Sequence, residues 1–172
     1  MINIAGPVLI VIVCGLPGVG KTTIAKNLAP LIDASVLSTD KIRKELISNP
    51  TYQKEEQGLI YDVMILLAKY LQQAGKNCIL DATFNKENSR NRVKNKLKVS
   101  EDQFFIVECT CPEKIIFSRL KNRKEDYSDA DVLVYQKMKK IYESVKGKHI
   151  TVDTSQDSEY NAKLIFKQIT GG

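Results

Sequence analysis

The sequence predicts an α/β protein in which a five-stranded parallel sheet lies between two layers of helices. Two observations carry that expectation. Five short segments with strand character, at 8–14, 34–38, 78–81, 104–109 and 149–152, alternate with segments of helical periodicity, an order that favours parallel pairing with helices on both faces. The first of them, Val8 to Cys14, is seven consecutive apolar residues rich in Val and Ile, as expected of a strand buried on both sides.

The elements follow in order. A helix is predicted from Lys21, with Ile24, Ala25, Leu28 and Ala29 on one side, and Pro30 should end or bend it. Ala34–Ser38 reads as a second strand that delivers Thr39 and Asp40 to its C-terminal tip, and a short helix through Ile42 and Leu46 stops near Asn49-Pro50. Leu59, Ile60, Val63, Met64, Leu67, Tyr70 and Leu71 recur at three and four, which predicts a long amphipathic helix closed by Gly75. Cys78–Asp81 is a third strand ending in a carboxylate, and helical spacing resumes from 86 to 97. After a fourth strand, Pro112 opens a helix whose buried face carries Ile115, Ile116, Phe117 and Leu120. The polar segment 122–129 is expected to form a short lid, and the next helix places Val134, Met138, Ile141 and Val145 on one side. A fifth strand, His149–Val152, and a closing helix over 162–169 complete residues 1–172, read as a single domain.

Composition narrows the class. A net charge of +6, from 26 basic and 20 acidic residues, suits a protein that handles phosphates or nucleic acid and equally a Lys-rich solvated surface. No apolar run approaches the roughly 20 residues of a membrane-spanning helix, and no Lys or Arg precedes Lys21 to make a leader's positive region. Cys14, Cys78, Cys109 and Cys111 lack a second pair at zinc-site spacing, so buried thiols in a reducing cytoplasm are expected. His149 has no partner at metal or triad spacing and is read as structural.

The chemistry begins immediately after the first strand. Gly15-Leu16-Pro17-Gly18-Val19-Gly20-Lys21-Thr22 is the Gly-x-x-x-x-Gly-Lys-Thr octet of a Walker A phosphate loop, in its required place between strand and helix. Its glycines allow successive amides to turn inward around phosphates, Lys21 adds a cation, Thr22 a metal-ligating hydroxyl, and the helix dipole points at the same anions. Gly15, Pro17, Gly18, Val19, Gly20, Lys21, Thr22 and Thr23 are therefore the expected nucleotide-binding set, with ATP and Mg2+ as cofactors. Asp81 occupies the Walker B position, sharing the magnesium with Thr22. Ala82 follows where motor-type ATPases carry a water-activating glutamate.

Asp40 and Arg43, three apart, place an acid and a cation on one face at the strand tip nearest the γ-phosphate. Asp40 could accept a hydroxyl proton or cap the helix, and Arg43 could hold an acidic group of the acceptor. Arg119 and Arg123, four apart beside the polar segment, suit a lid that neutralises a transferring phosphoryl. Lys86, Arg90, Arg92, Lys94, Lys96 and Lys98 form a basic helix, open between a solvated surface and a nucleic-acid contact. Asn85-Lys86-Glu87-Asn88 lacks the terminal acid of the guanine-reading motif.

With these residues the chain resembles the small P-loop kinase group that includes polynucleotide 5′-hydroxyl kinase and phosphoseryl-tRNA kinase, with gluconate kinase and chloramphenicol phosphotransferase more distant. The resemblance runs from about Val8 to Tyr142 and rests on residues 15–23, Asp40-x-x-Arg43, Asp81-Ala82-Thr83, Arg90 and Arg119-x-x-x-Arg123. It implies that Lys21 and Thr22 bind ATP and magnesium, that Asp40 is the general base, that Arg43 and Arg90 contact the acceptor, and that Arg119 and Arg123 close on the phosphoryl group. It implies also that Asp153-Thr154-Ser155-Gln156 touches the adenine. The chain departs from the group at Phe84, where the nucleic-acid kinases carry an asparagine. The expected activity is ATP-dependent transfer to the 5′-hydroxyl of RNA or DNA or to a nucleotide-like molecule. A small-metabolite or antibiotic kinase and a nucleotide-binding regulator with weak ATPase activity are the alternatives.

Overall fold

A computed structural model describes residues 7–122 and 130–171. The strands are β1 Ile10–Cys14, β2 Ala34–Ser38, β3 Asn77–Asp81, β4 Phe104–Thr110 and β5 Ile150–Asp153. All pair in parallel, in the order β2-β3-β1-β4-β5. The helices are α1 Lys21–Leu28, α2 Thr39–Leu46, α3 Lys54–Gln73, α4 Glu87–Leu97, α5 Glu113–Lys121, α6 Val132–Ile141 and α7 Ser158–Thr170. Pro30 lies in a single 3-10 turn, Ala29–Leu31, which ends the first helix as its fixed φ and missing N–H require.

Every residue of β1 is buried, and its side chains divide by the twofold pleat. Ile10, Ile12 and Cys14 enter the layer with Ile60 and Met64 of α3 and Val93 of α4, whereas Val11 and Val13 enter the layer with Ile24 of α1, Ile116 of α5 and Ile165 of α7. Each buried aliphatic contributes about 1.5–3 kcal/mol, so the central strand fixes both layers at once. This arrangement also makes the site. The connection after β1 runs to one face and the connection after the adjacent β3 to the other, which opens a crevice at the carboxyl ends of these two strands.

Two helices differ from expectation. In α3 the buried residues are Ile60, Met64, Ile65 and Ala68, while Leu59, Leu67 and Tyr70 face solvent, Tyr70 at 62 % exposure. Apolar residues surround that helix, so their spacing alone does not single out the core face. The sixth helix ends at Ile141, and Val145 reaches the core from the segment beyond it. The residue that α6 buries is Tyr135, edge-on against Phe117 at 5.5 Å with its hydroxyl donating to Glu113 at 3.1 Å. Val134, Met138 and Ile141 instead line the crevice. No helix among the described residues is long and apolar enough to cross a membrane.

Candidate active site

The phosphate loop bridges β1 and α1 and is held by contacts that only glycine tolerates at two positions. Gly15 has φ +139°, and a Cβ there would stand 2.6 Å from the Cys109 carbonyl oxygen; a Cβ on Gly18, at φ +78°, would meet Leu120 at 2.9 Å. The Gly15 amide donates to the Thr83 carbonyl at 3.2 Å, which ties the start of the loop to the segment after β3. Lys21 Nζ donates to the Leu16 carbonyl at 3.0 Å, across the loop's own arch. Thr22 Oγ1 donates to Asp81 Oδ2 at 2.6 Å, so the Walker A hydroxyl and the buried carboxylate of Asp81 are brought together.

These groups form one end of a cavity of about 530 Å³. Pro17, Gly18, Gly20, Lys21, Thr22 and Thr23 line it at the loop, and Asp40 and Arg43 line its other end. Asp40 is not the cap of α2: Ser38 holds that position, and Asp40 lies in the first turn with a partly exposed side chain. Arg43 is buried and neutralised, its Nε on Glu56 Oε1 at 2.9 Å and its Nη1 on Asp40 Oδ1 at 3.3 Å. Its guanidinium carbon lies 4.7 Å from the centre of the Tyr52 ring. Glu56 also accepts from the amide of Thr51 at 2.6 Å, and this bond, ahead of those from the Thr51 hydroxyl, Tyr52 and Arg43, holds its carboxyl below the ordinary glutamate range.

Two arginines are placed elsewhere than the sequence suggests. Arg90 is 1 % exposed and spends its guanidinium on the carbonyls of Phe84 at 2.7 Å, Glu143 at 2.9 Å and Ser144 at 3.4 Å. It lies outside the cavity lining, so it clamps the loop after β3 and does not reach an acceptor. Arg119 lies behind the phosphate loop. Its Nη1 donates to the Val19 carbonyl at 3.2 Å and its Nη2 to the Thr154 carbonyl at 2.7 Å. There it lines a second cavity, of about 330 Å³, with Gly18, Gly20, Thr23, Thr154 and Gln156, so it faces the outer side of the loop and not the cavity holding Asp40. Arg123 and most of the expected lid fall outside the described residues.

Sequence reasoning missed several lining residues: Tyr52, Gln57, Tyr61, Asn85 and Lys137, while Thr39 lines the cavity beside Asp40 at the strand tip. The departure at Phe84 stands beside one of them. Phe84 adopts φ +45°, buries its ring edge-on against Tyr61 at 5.2 Å, and donates its amide to the Tyr61 hydroxyl at 3.1 Å. The next residue, Asn85, lines the cavity wall. Burial pushes the Tyr61 phenol up to about 12, so it stays protonated at neutral pH.

The basic helix is largely matched by acids. Lys86 pairs with Glu143 at 3.1 Å, Arg92 with Asp62 and Lys94 with Glu101, while Arg90 is buried. Among the described residues no three His, Cys, Asp or Glu side chains form a metal cluster. One carboxylate beside one hydroxyl nevertheless fits magnesium, which takes few protein oxygens and completes its shell with phosphates and water.

Loop, sheet order and strand-tip cavity together define a P-loop nucleotide-binding protein. The chain belongs to the AAA_33 family, described as an AAA domain, whose profile matches residues 10–145. Its fold is similar to that of a sugar kinase from Janibacter sp. HTCC2649 (TM-score 0.77, 18 % identity, 95 % of each chain covered). It is also similar to a gluconokinase from Sinorhizobium meliloti 1021 (TM-score 0.72, 14 % identity, 96 % of this chain and 93 % of that one). The Mycobacterium tuberculosis APS kinase CysC, solved with AMPPNP and APS, gives a TM-score of 0.73 at 16 % identity over 96 % of this chain and 99 % of that one. Among curated sequences it is 25 % identical over 135 residues to the uncharacterized proteins Mb2027c of Mycobacterium bovis and Rv2004c of M. tuberculosis. That match takes in 72 % of this chain and 27 % of theirs, so the chain spans about a quarter of the length of these relatives.

Proposed function

We propose that the protein is an ATP- and magnesium-dependent kinase that transfers the γ-phosphoryl group to a hydroxyl of a small molecule. One observation carries this reading: a single cavity of about 530 Å³ joins the phosphate loop and the Thr22–Asp81 pair to Asp40 and Arg43. That volume lies within the usual range for small-molecule sites.

Within this reading the loop amides and Lys21 hold the phosphates, and Thr22 and Asp81 supply oxygen ligands for magnesium. These two oxygens would hold magnesium where it neutralises the phosphate charge that develops during transfer. Asp40 accepts the proton of the incoming hydroxyl while Arg43, 3.3 Å away, orients its carboxylate. Catalysis is positioning and charge neutralisation, with no covalent protein intermediate. Thr154, Ser155 and Gln156 line the second cavity, on the outer side of the loop, and would meet the adenine there beside Arg119. A nucleic-acid acceptor draws on the six cations of residues 86–98, and three of these already face carboxylates while a fourth is buried.

Incubation with γ-labelled ATP, magnesium and a panel of sugars, nucleosides, simple alcohols and 5′-hydroxyl oligonucleotides tests the proposal. Label on a small alcohol is the expected result. Label on oligonucleotides alone would return the acceptor to nucleic acid, and label appearing only as free phosphate would make the protein a nucleotide-binding regulator.

A further inference from the structure

The cavity has two unlike walls, contributed from the two edges of the sheet. Beyond β2 stand Tyr52, Gln57 and Tyr61; before β5, α6 presents Val134, Met138 and Ile141 at positions i, i+4 and i+7, hence on one face, with Lys137 beside them. That apolar face is not spent on the core, because Tyr135 is the residue that packs inward. Val134 and Met138 are half-buried and Ile141 is 48 % exposed. Apolar area left facing a pocket is area that a ligand can remove from water.

The arginine of the cavity is matched before any acceptor arrives; the other lining cations among the described residues are Lys21, in the phosphate loop, and Lys137 of α6. Arg43 lies between two carboxylates, so an anionic acceptor finds a neutralised cation and two like charges. Glu56, which holds Arg43, also takes the amides of Thr51 and Tyr52, and so fixes the backbone that carries the Tyr52 ring. Asn85 and Gln57 add uncharged amides that can bond a neutral oxygen or nitrogen.

We infer that the acceptor is a neutral alcohol bearing an aromatic or branched apolar group, which lies against Tyr52 and the α6 stripe while its hydroxyl meets Asp40. The inference rests on the kinase reading only for the fate of that hydroxyl. The alcohol O–H bond breaks with the proton going to Asp40, an oxygen–phosphorus bond forms to the γ-phosphorus of ATP, and the bond to the β-phosphate oxygen breaks to release ADP.

The test has a binding arm and a transfer arm. Benzyl alcohol and uridine, as ring-bearing neutral probes, are titrated against glucose and gluconate by calorimetry, with and without AMPPNP and magnesium and at low and high salt. Labelled ATP then reports transfer to each. The ring-bearing probes are expected to bind about tenfold or more tighter than glucose or gluconate, with affinity unchanged by salt. Met138→Gln and Ile141→Asn should each weaken them about threefold or more, with circular dichroism and melting temperature unchanged.

Binding of the ring-bearing probes without transfer of label would leave the substrate class standing and remove the kinase reading. Three outcomes overturn the inference: no saturable binding of either ring probe, equal or tighter binding of gluconate or glucose, or a steep loss of affinity with salt. Should either variant unfold, the other and the salt series still decide it.

Discussion

The two ends of the cavity are built in opposite ways. At the phosphate end the groups are backbone amides and side chains within one stretch of nine residues, closed by a single distant carboxylate, Asp81. At the end holding Asp40, the residues Asp40, Tyr52, Gln57, Tyr61, Asn85 and Met138 arrive from three elements and two connecting loops. Local geometry fixes the first end, so a motif reveals it. The second exists only after the sheet has assembled, and its chemistry is a property of the fold.

The largest effect that would sharpen this contrast comes from Asp40→Asn. Loss of a general base costs about 10²–10⁴-fold in kcat, and the affinity for ATP should be unchanged by calorimetry. Equal loss of both would place Asp40 at the phosphate end. Lys21→Met should differ by lowering nucleotide affinity together with kcat, the latter by about 10²–10³-fold.

Gly15→Ala probes the backbone of the loop alone. Its Cβ would meet a carbonyl oxygen at 2.6 Å in a conformation that L residues rarely adopt, so stability should fall by at least about 2 kcal/mol, read from urea melts. A neutral result would show that the loop relaxes there. Arg119→Ala should raise the KM for ATP several-fold and leave the acceptor KM unchanged, because Arg119 braces the loop's own Val19 carbonyl against Thr154 from the side of the second cavity. A change in acceptor KM alone would put this arginine in the cavity holding Asp40.

The smallest expected effect at neutral pH concerns the thiols behind both ends. Burial pushes Cys14 up to about 11 and Cys78 up to about 12, and Cys109 is raised as well, with desolvation the leading cause in each. At pH 8 a thiol reagent should label Cys111 quickly and the other three only on unfolding. For these acids the folded state keeps the proton that the unfolded chain releases, so stability is fully present below about pH 8.5 and falls as pH rises through the folded values. Each thiol contributes a slope of up to about 1.4 kcal/mol per pH unit. A flat stability profile between pH 9 and 11 would show the thiols to be solvated.

Much of the architecture was legible from the chain, for reasons that β1 illustrates. A strand buried on both faces must be apolar throughout, and a phosphate loop must follow it without a gap. The Thr22–Asp81 contact was legible as well, since strand register and helix start leave these residues little freedom. Arg90 and Arg119 were not. A guanidinium serves equally well as a ligand for phosphate or as a brace for carbonyls, and sequence spacing does not say which neighbour the fold will supply. The α6 stripe failed in the same manner: three apolar residues on one face look alike whether they meet a core or a cavity. Phe84 was legible only as a departure from the nucleic-acid kinases; its burial against Tyr61, beside the lining residue Asn85, is a property of the fold.

The carbonyl of Val19 accepts from both Arg119 and the Thr154 hydroxyl, two groups that also bond each other where they line the second cavity. A nucleotide base that nudged either one would pull directly on the peptide between Val19 and Gly20, next to the amides that cradle its own phosphates. The purine and the triphosphate tail would then be sensed as one object, and a ligand offering only the tail would leave that hinge slack.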